Sequence, residues 1–229
     1  MDILNNIENI NISLLKEHFK NNKKIKIQNF LNNDFIEKIY THVMFDKNWM
    51  LATGIDKNKY EKKDSQEFDK INSLQIKNVN NAFGNDSFSY IFYRTMNAKN
   101  MTIHEFKLRK LFTSPEFLEI INNITELNIT DVTTLFLSKY KTGNFLSPHS
   151  DKGNGKLAFV INMTKFWKPQ YGGILNFLND ERNEIIESFV PDFNSLLLFY
   201  VPDNGIPHFV SHVSPNVKFN RFAITGWFK

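Results

Sequence analysis

Apolar and polar positions divide the chain near residue 130. Before that point most apolar residues recur at helical spacing. In 11–20 (NISLLKEHFK), Leu14, Leu15 and Phe19 share a face. In 32–44, Phe35, Ile36, Ile39, Tyr40 and Val43 do so behind Asn and Asp residues suited to capping a helix. Segment 114–125 opens with Ser114 and Pro115, an N-cap followed by proline at the first helical position, and predicts a third helix. Two stretches alternate instead. Ile25, Ile27 and Phe30 do so in 24–31, and the aromatic run FSYIFYR does so at 88–94, each predicting a strand. Residues 50–85 (GIDKNKYEKKDSQ and NVNNAFGNDS among them) show neither period. They read as long loops with one strand at most, and long loops in compact domains commonly form lids or binding loops.

After residue 130 the runs shorten and become β-type: 133–140, 156–164, 173–178, 184–191, 194–202, 208–213 and 221–228. Clusters of Gly, Pro, Asn and Asp separate them. Strands at this spacing predict a sandwich, barrel or jelly roll. With no internal repeat and no low-complexity linker, the expectation is one domain spanning 1–229. Residues 1–130 form its supporting region and 131–229 its core.

Composition sharpens this in three ways. The hydrophobic fraction of 41% over 229 residues suffices for a sizeable core, and 23 phenylalanines make it an aromatic one. Cysteine is absent, which excludes disulfides, thiol nucleophiles, zinc fingers and iron–sulfur clusters. Any bound metal must then be held by histidines and carboxylates. The net charge of +4 comes from scattered lysines, with small clusters at 20–26 and 57–63, and reads as a solubilising surface rather than a nucleic-acid-binding stripe. No apolar run is long enough to span a bilayer, and the first twenty residues mix acids with apolar positions, unlike a signal peptide. The expected protein is cytoplasmic, with no membrane and no nucleic-acid partner.

Candidate chemistry begins at 147–151, SPHSD. If this segment is extended, His149 and Asp151 share a face and both reach one ion. His-x-Asp alone is a weak signal, but His208 opens a later strand. Two histidines and one carboxylate are the ligand set that leaves one face of iron(II) open. Arg221 sits inside an apolar strand, RFAITGWF, where a lone charge is expensive unless an anion meets it. A Ser/His/Asp hydrolase is not supported, because no Gly-x-Ser-x-Gly elbow exists and Asp151 is too close in sequence to orient His149. The glycines at 152–156 and 171–174 lie in turns rather than phosphate loops. His18, His42 and His104 read as surface or packed histidines.

Taken in order, YKTGNFLSPHSD (140–151), LAFVINMT (157–164), YGGILNF (171–177), NSLLLFYVP (194–202), PHFVSHV (207–213) and RFAITGWF (221–228) resemble the Fe(II)- and 2-oxoglutarate-dependent dioxygenases, on their prolyl-4-hydroxylase-like branch. The resemblance implies an α+β, mainly β fold, with N-terminal helices packed on a double-stranded β-helix of the jelly-roll type. It implies Fe(II) held by His149, Asp151 and His208, and 2-oxoglutarate held through its distal carboxylate by Arg221. Tyr140, Thr225 and Asn162 join Arg221 as candidate cosubstrate contacts, although relatives often carry Tyr where Asn162 stands. His212, of the same strand parity as His208, is its competitor as third ligand. The Pro207-His208-x-Val pattern favours His208. The activity implied is hydroxylation of an unactivated C–H bond with O₂, releasing succinate and CO₂, with ascorbate as an activator. Related halogenases have a small residue in place of the carboxylate, so Asp151 points to hydroxylation. The substrate implied is a prolyl residue of a protein or an amino-acid-like small molecule, with Tyr90, Tyr93 and Arg94 as candidate contacts. The alternative is a non-catalytic metal-binding jelly-roll module.

Overall fold

A computed structural model of the chain describes residues 3–4, 11–45, 49–56, 58–63, 68–95 and 101–229, with the backbone alone described at 58–63 and 68–72. The elements are, in order, α1 (Ile12–Asn22), β1 (Lys24–Ile27), α2 (Asn33–Phe45), β2 (Met50–Ile55), β3 (Asn58–Lys63), α3 (Phe68–Gly84), β4 (Ser89–Arg94), α4 (Ile103–Phe112), α5 (Pro115–Thr125), β5 (Val132–Tyr140), β6 (Phe145–His149), β7 (Leu157–Asn162), β8 (Leu175–Leu178), β9 (Ile185–Phe189), β10 (Ser195–Tyr200), β11 (His208–Val210) and β12 (Arg221–Phe228).

All twelve strands belong to one antiparallel sheet with the path β1-β10-β7-β12-β5-β4-β6-β11-β8-β9, and the β2–β3 ribbon branches from β4. Two limbs of this path face each other. One is β10-β7-β12-β5 and the other is β6-β11-β8. Contacts cross between them: Phe177 of β8 meets Phe199 of β10 edge-on at 5.1 Å, and Phe199 meets His208 of β11 at 5.2 Å. This mostly antiparallel half-barrel is the expected double-stranded β-helix. β4 joins the limbs by pairing with both β5 and β6, and β1 pairs with β10. The region before residue 131 therefore supplies strands to the sheet as well as helices.

Strand parity decides what each limb buries. Along β7, Leu157, Phe159 and Ile161 point to the helices, while Ala158 and Val160 point between the limbs. The outer layer packs Phe112 and Phe117 of the α4–α5 pair against Phe159 and Phe228. Phe112 is fully buried and lies stacked on Phe117 at 4.8 Å and edge-on to Phe159 at 4.9 Å. Burying one such ring contributes about 1.5–3 kcal/mol. Gly226 of β12 is required here. A Cβ at that position would stand 2.0 Å from the Thr134 carbonyl oxygen and 2.4 Å from the Phe159 ring, so a side chain there would displace the ring that anchors the helices.

The predicted helices and most strands appear near their expected ranges. Ser114 caps α5 by accepting from the Phe117 N–H at 3.3 Å, with Pro115 following it. Residues 50–85 are corrected: they form the β2–β3 hairpin and the 17-residue helix α3 rather than loops. Gly, Lys and Asn weaken the apolar period there, and β2 gains its partners only from distant β4. The helix α4 was missed as well, although its signal is present. Thr102 and Glu105 form a reciprocal capping box, with Glu105 N–H donating to Thr102 Oγ1 at 3.2 Å and Thr102 N–H to Glu105 Oε2 at 2.9 Å. No helix among the described residues is long and apolar enough to cross a membrane.

Candidate active site

The space between the limbs is a cavity of about 570 Å³. At one end His149, Asp151 and His208 each offer a ligand atom, all within 4.8 Å of one another. The histidines meet through strand pairing. β6 and β11 are antiparallel with His149 directly opposite His208, and the ring centroids are 4.1 Å apart. Asp151 arrives by a different route from the one expected. It lies beyond β6 in a turn, with φ of 56°, so the left-handed backbone rather than strand alternation swings its carboxylate back to the rings. The turn closes with Asn154 N–H donating to the Asp151 carbonyl at 3.1 Å.

The histidine tautomers follow from their backbone contacts. Nδ1 of His149 lies 3.0 Å from the Ser147 carbonyl, and Nδ1 of His208 lies 2.8 Å from that of Ile206. Each Nδ1–H therefore donates outward, leaving Nε2 with its lone pair inward. His149 Nε2 is 3.3 Å from Asp151 Oδ1, and His208 Nε2 is 3.4 Å from Oδ2. With both rings neutral, three lone-pair donors converge on one point, an arrangement that calls for a cation there, either a metal ion or, without one, a proton on a ring Nε2. The set is two imidazole nitrogens and one carboxylate, without thiolate, and it fits a non-haem iron(II) centre with open positions.

Burial pushes the His208 imidazole below its ordinary range, helped by His149 and opposed by Asp151, which keeps the ring neutral and able to ligate. For Asp151 burial works upward, but His149 and His208 outweigh it. The net effect holds the carboxyl well below the usual carboxylate range. Trp227 also donates its indole N–H to Asp151 Oδ2 at 3.0 Å.

At another wall, Arg221 of β12 is 4% exposed and register-paired with Tyr140 of β5. Its guanidinium carbon stands 4.9 Å from the Tyr140 ring centroid, a cation–π contact. Among the described residues no carboxylate pairs with Arg221, and its Nε has no hydrogen-bond partner. Burial lowers the arginine's pKa, with Tyr140 opposing, and such a cation is costly without an anion. A dicarboxylate with one end here fits that requirement. Thr225 lines the same cavity on the same face of β12.

Other expected residues fall elsewhere. Asn162 is buried outside the cavity lining. It donates to Ser195 Oγ at 3.2 Å, while its Oδ1 has no partner. His212 lies past the end of β11, stacked on Phe145 at 4.1 Å and edge-on to Phe83 at 4.7 Å, away from the triad. Tyr90 and Arg94 line the cavity, but Tyr93 is corrected. Odd and even residues of β4 point to opposite faces, and Tyr93 sits on the far side beneath Lys139 and Lys141. The sequence reading missed Phe92, on Tyr90's face of β4, and Phe88, of the same parity just before that strand. The period of two was the available signal.

Comparison with known proteins agrees with this geometry. The family described as the 2OG-Fe(II) oxygenase superfamily matches residues 135–229. Prolyl 3-hydroxylase OGFOD1 of Xenopus laevis is 27% identical over 144 residues, covering 61% of this chain but only 28% of the relative's length. Among solved structures, a Pseudomonas putida prolyl-4-hydroxylase aligns with TM-score 0.61 at 14% identity, over 95% of this chain and 98% of the other. A Burkholderia pseudomallei oxidoreductase of the 2OG-Fe(II) oxygenase family aligns with TM-score 0.62 at 9% identity, over 100% and 94%. At those identities the structures speak for the fold. The family match covers residues 135–229, the part of the chain that carries the converging His149, Asp151 and His208 and the buried Arg221, and the solved structures share its fold.

Proposed function

We propose that the protein is an Fe(II)- and 2-oxoglutarate-dependent dioxygenase that hydroxylates a C–H bond of a prolyl residue in a peptide or protein, with the whole chain acting as one catalytic domain. A single observation carries this reading. One cavity holds a His–Asp–His triad and a buried arginine without a carboxylate partner among the described residues. His149, Asp151 and His208 would hold the iron, and Arg221 would hold the far carboxylate of 2-oxoglutarate. Iron bound there supplies the oxidative chemistry, in which O₂ and 2-oxoglutarate become succinate, CO₂ and a new hydroxyl group on the substrate.

The chain's own residues bind, orient and keep the cavity dry. Phe88, Tyr90 and Phe92 form one aromatic wall, with successive ring centroids 5.7 and 5.6 Å apart, which suits the flat apolar face of a proline ring. The Xenopus relative is described as a prolyl 3-hydroxylase, which supports a prolyl substrate over a free amino acid. A non-catalytic module is not favoured, because every ligand position and the arginine are filled.

The test supplies iron(II), 2-oxoglutarate, O₂ and ascorbate with proline-containing peptides, the same peptides carrying alanine in place of proline, and free proline. Succinate should rise with the proline peptides alone, and the peptide product should gain one oxygen atom by mass. Bound iron with no succinate, coupled or uncoupled, would favour the non-catalytic module.

A second expectation concerns Tyr140. Burial, only partly offset by Arg221, pushes its phenol up to about 12. The hydroxyl therefore stays protonated, and able to donate to a bound carboxylate, at pH 10.0, where an ordinary tyrosine is half ionised. A phenolate absorbance titration should show no Tyr140 contribution at that pH, judged by subtracting the Tyr140→Phe protein. A Tyr140 signal with its midpoint near 10 would show that the hydroxyl is not buried as described.

A further inference from the structure

Asp151 is the least constrained of the three converging ligands by its own backbone. His149 ends β6 and His208 opens β11, so strand pairing fixes both, whereas Asp151 stands in a turn with left-handed φ. What it bonds must therefore aim its carboxylate. Trp227 Nε1–H donates to Oδ2 at 3.0 Å, and Asn154 Nδ2 stands 3.4 Å from Oδ1, beyond normal hydrogen-bond length.

Trp227 is well placed for this role. It lies on β12, register-paired with Thr134 of β5 and Ala158 of β7, and its ring packs on Phe136 with centroids 6.1 Å apart. Both residues line the cavity, so the indole forms part of its wall. Arg221 and Trp227 share one face of β12, six residues and roughly 20 Å apart. One rigid strand thus carries the cosubstrate's arginine near one end and a donor to the Asp151 carboxylate near the other.

We propose that Trp227 is a positioning residue for metal binding: its indole N–H fixes the rotation of the Asp151 carboxylate, so the ligand is preorganised before the metal arrives. This rests on the reading of His149, Asp151 and His208 as the iron site. The physical reason is general. Partners that hydrogen-bond to metal ligands hold them in ligating orientation, and losing one weakens metal binding by about 10–100-fold. A partly buried indole N–H also gains from an acceptor, so the bond could serve packing alone. Metal affinity separates the two roles.

The experiment compares wild type, Trp227→Phe and His149→Ala as apo-proteins titrated with Co(II), read by its visible absorption. Trp227→Phe keeps the ring's bulk and loses only the donor. Its dissociation constant should rise by about 10-fold or more, with the apo-protein's circular dichroism unchanged. A second readout works on wild-type protein. The chain has three tryptophans, so three indole N–H resonances are expected in a ¹⁵N-labelled sample. Zn(II) should move the Trp227 resonance, identified by elimination with Trp49→Phe and Trp167→Phe should Trp227→Phe fail to fold. A Co(II) constant within twofold of wild type, or a Trp227 resonance unmoved at saturating Zn(II), overturns the positioning role. Wild type that binds no Co(II), or His149→Ala that binds it as tightly as wild type, overturns the iron reading itself.

Discussion

Replacing Asp151 by alanine will weaken iron(II) binding by more than about 100-fold and bring 2-oxoglutarate turnover to background. Even hydrogen-bond partners of metal ligands are worth 10–100-fold in affinity, so loss of the ligand itself must exceed that. Asp151 contributes the negative charge among the three converging donors. Its carboxyl is held well below the usual range, so it is ionised at neutral pH. Without it, two neutral imidazoles face the metal alone. The fold should survive, because Asp151 stands in a turn outside the strands and its backbone contact is a single bond from Asn154. Metal titration of the apo-protein and a succinate assay check both halves. Binding within tenfold of wild type would mean that the metal, if bound, is held elsewhere.

Arg221→Met should act on the cosubstrate alone. The guanidinium is buried and has no carboxylate partner among the described residues, so the free protein carries its desolvation cost without an ion pair in return. When 2-oxoglutarate binds, its distal carboxylate would meet a charge already stripped of water. Removing one partner of such a pair costs about 2–5 kcal/mol, a rise of roughly 30-fold to several thousand-fold in the KM for 2-oxoglutarate. Methionine fills much of the volume, and Tyr140 loses its cation–π contact while the strand loses a buried charge. These effects oppose each other, so thermal stability should change little. Loss of function without loss of stability distinguishes a ligand-binding arginine from a structural one. A KM within about threefold of wild type would assign the cosubstrate's carboxylate to another residue.

Most of the core was legible in the sequence because local pattern and tertiary role agree there. The strands β7, β10 and β12 alternate side chains between helices and cavity, and each is bounded by turn residues, so the period of two survives in the sequence. Residues 50–85 were not legible. β2 is held by pairing with β4 and β3, and a strand's partners leave no local mark. Tyr93 was misplaced by treating a strand as a stretch rather than as two faces.

By itself, the sequence determined which atoms were available for chemistry. With no cysteine, a metal could be held only by histidine and carboxylate, and a charge inside an apolar strand implied an anion to meet it. Tertiary structure alone decided which of those atoms meet. His208 lies opposite His149 because β11 pairs with β6. His212, four residues on, stacks on Phe145 because that strand has already ended. Asp151 turns inward through a left-handed residue, and Trp227 reaches it from a strand at the far end of the chain. Side-chain identity is a property of one residue, whereas convergence depends on strand register and backbone turns, and these are set by contacts between residues far apart in the chain.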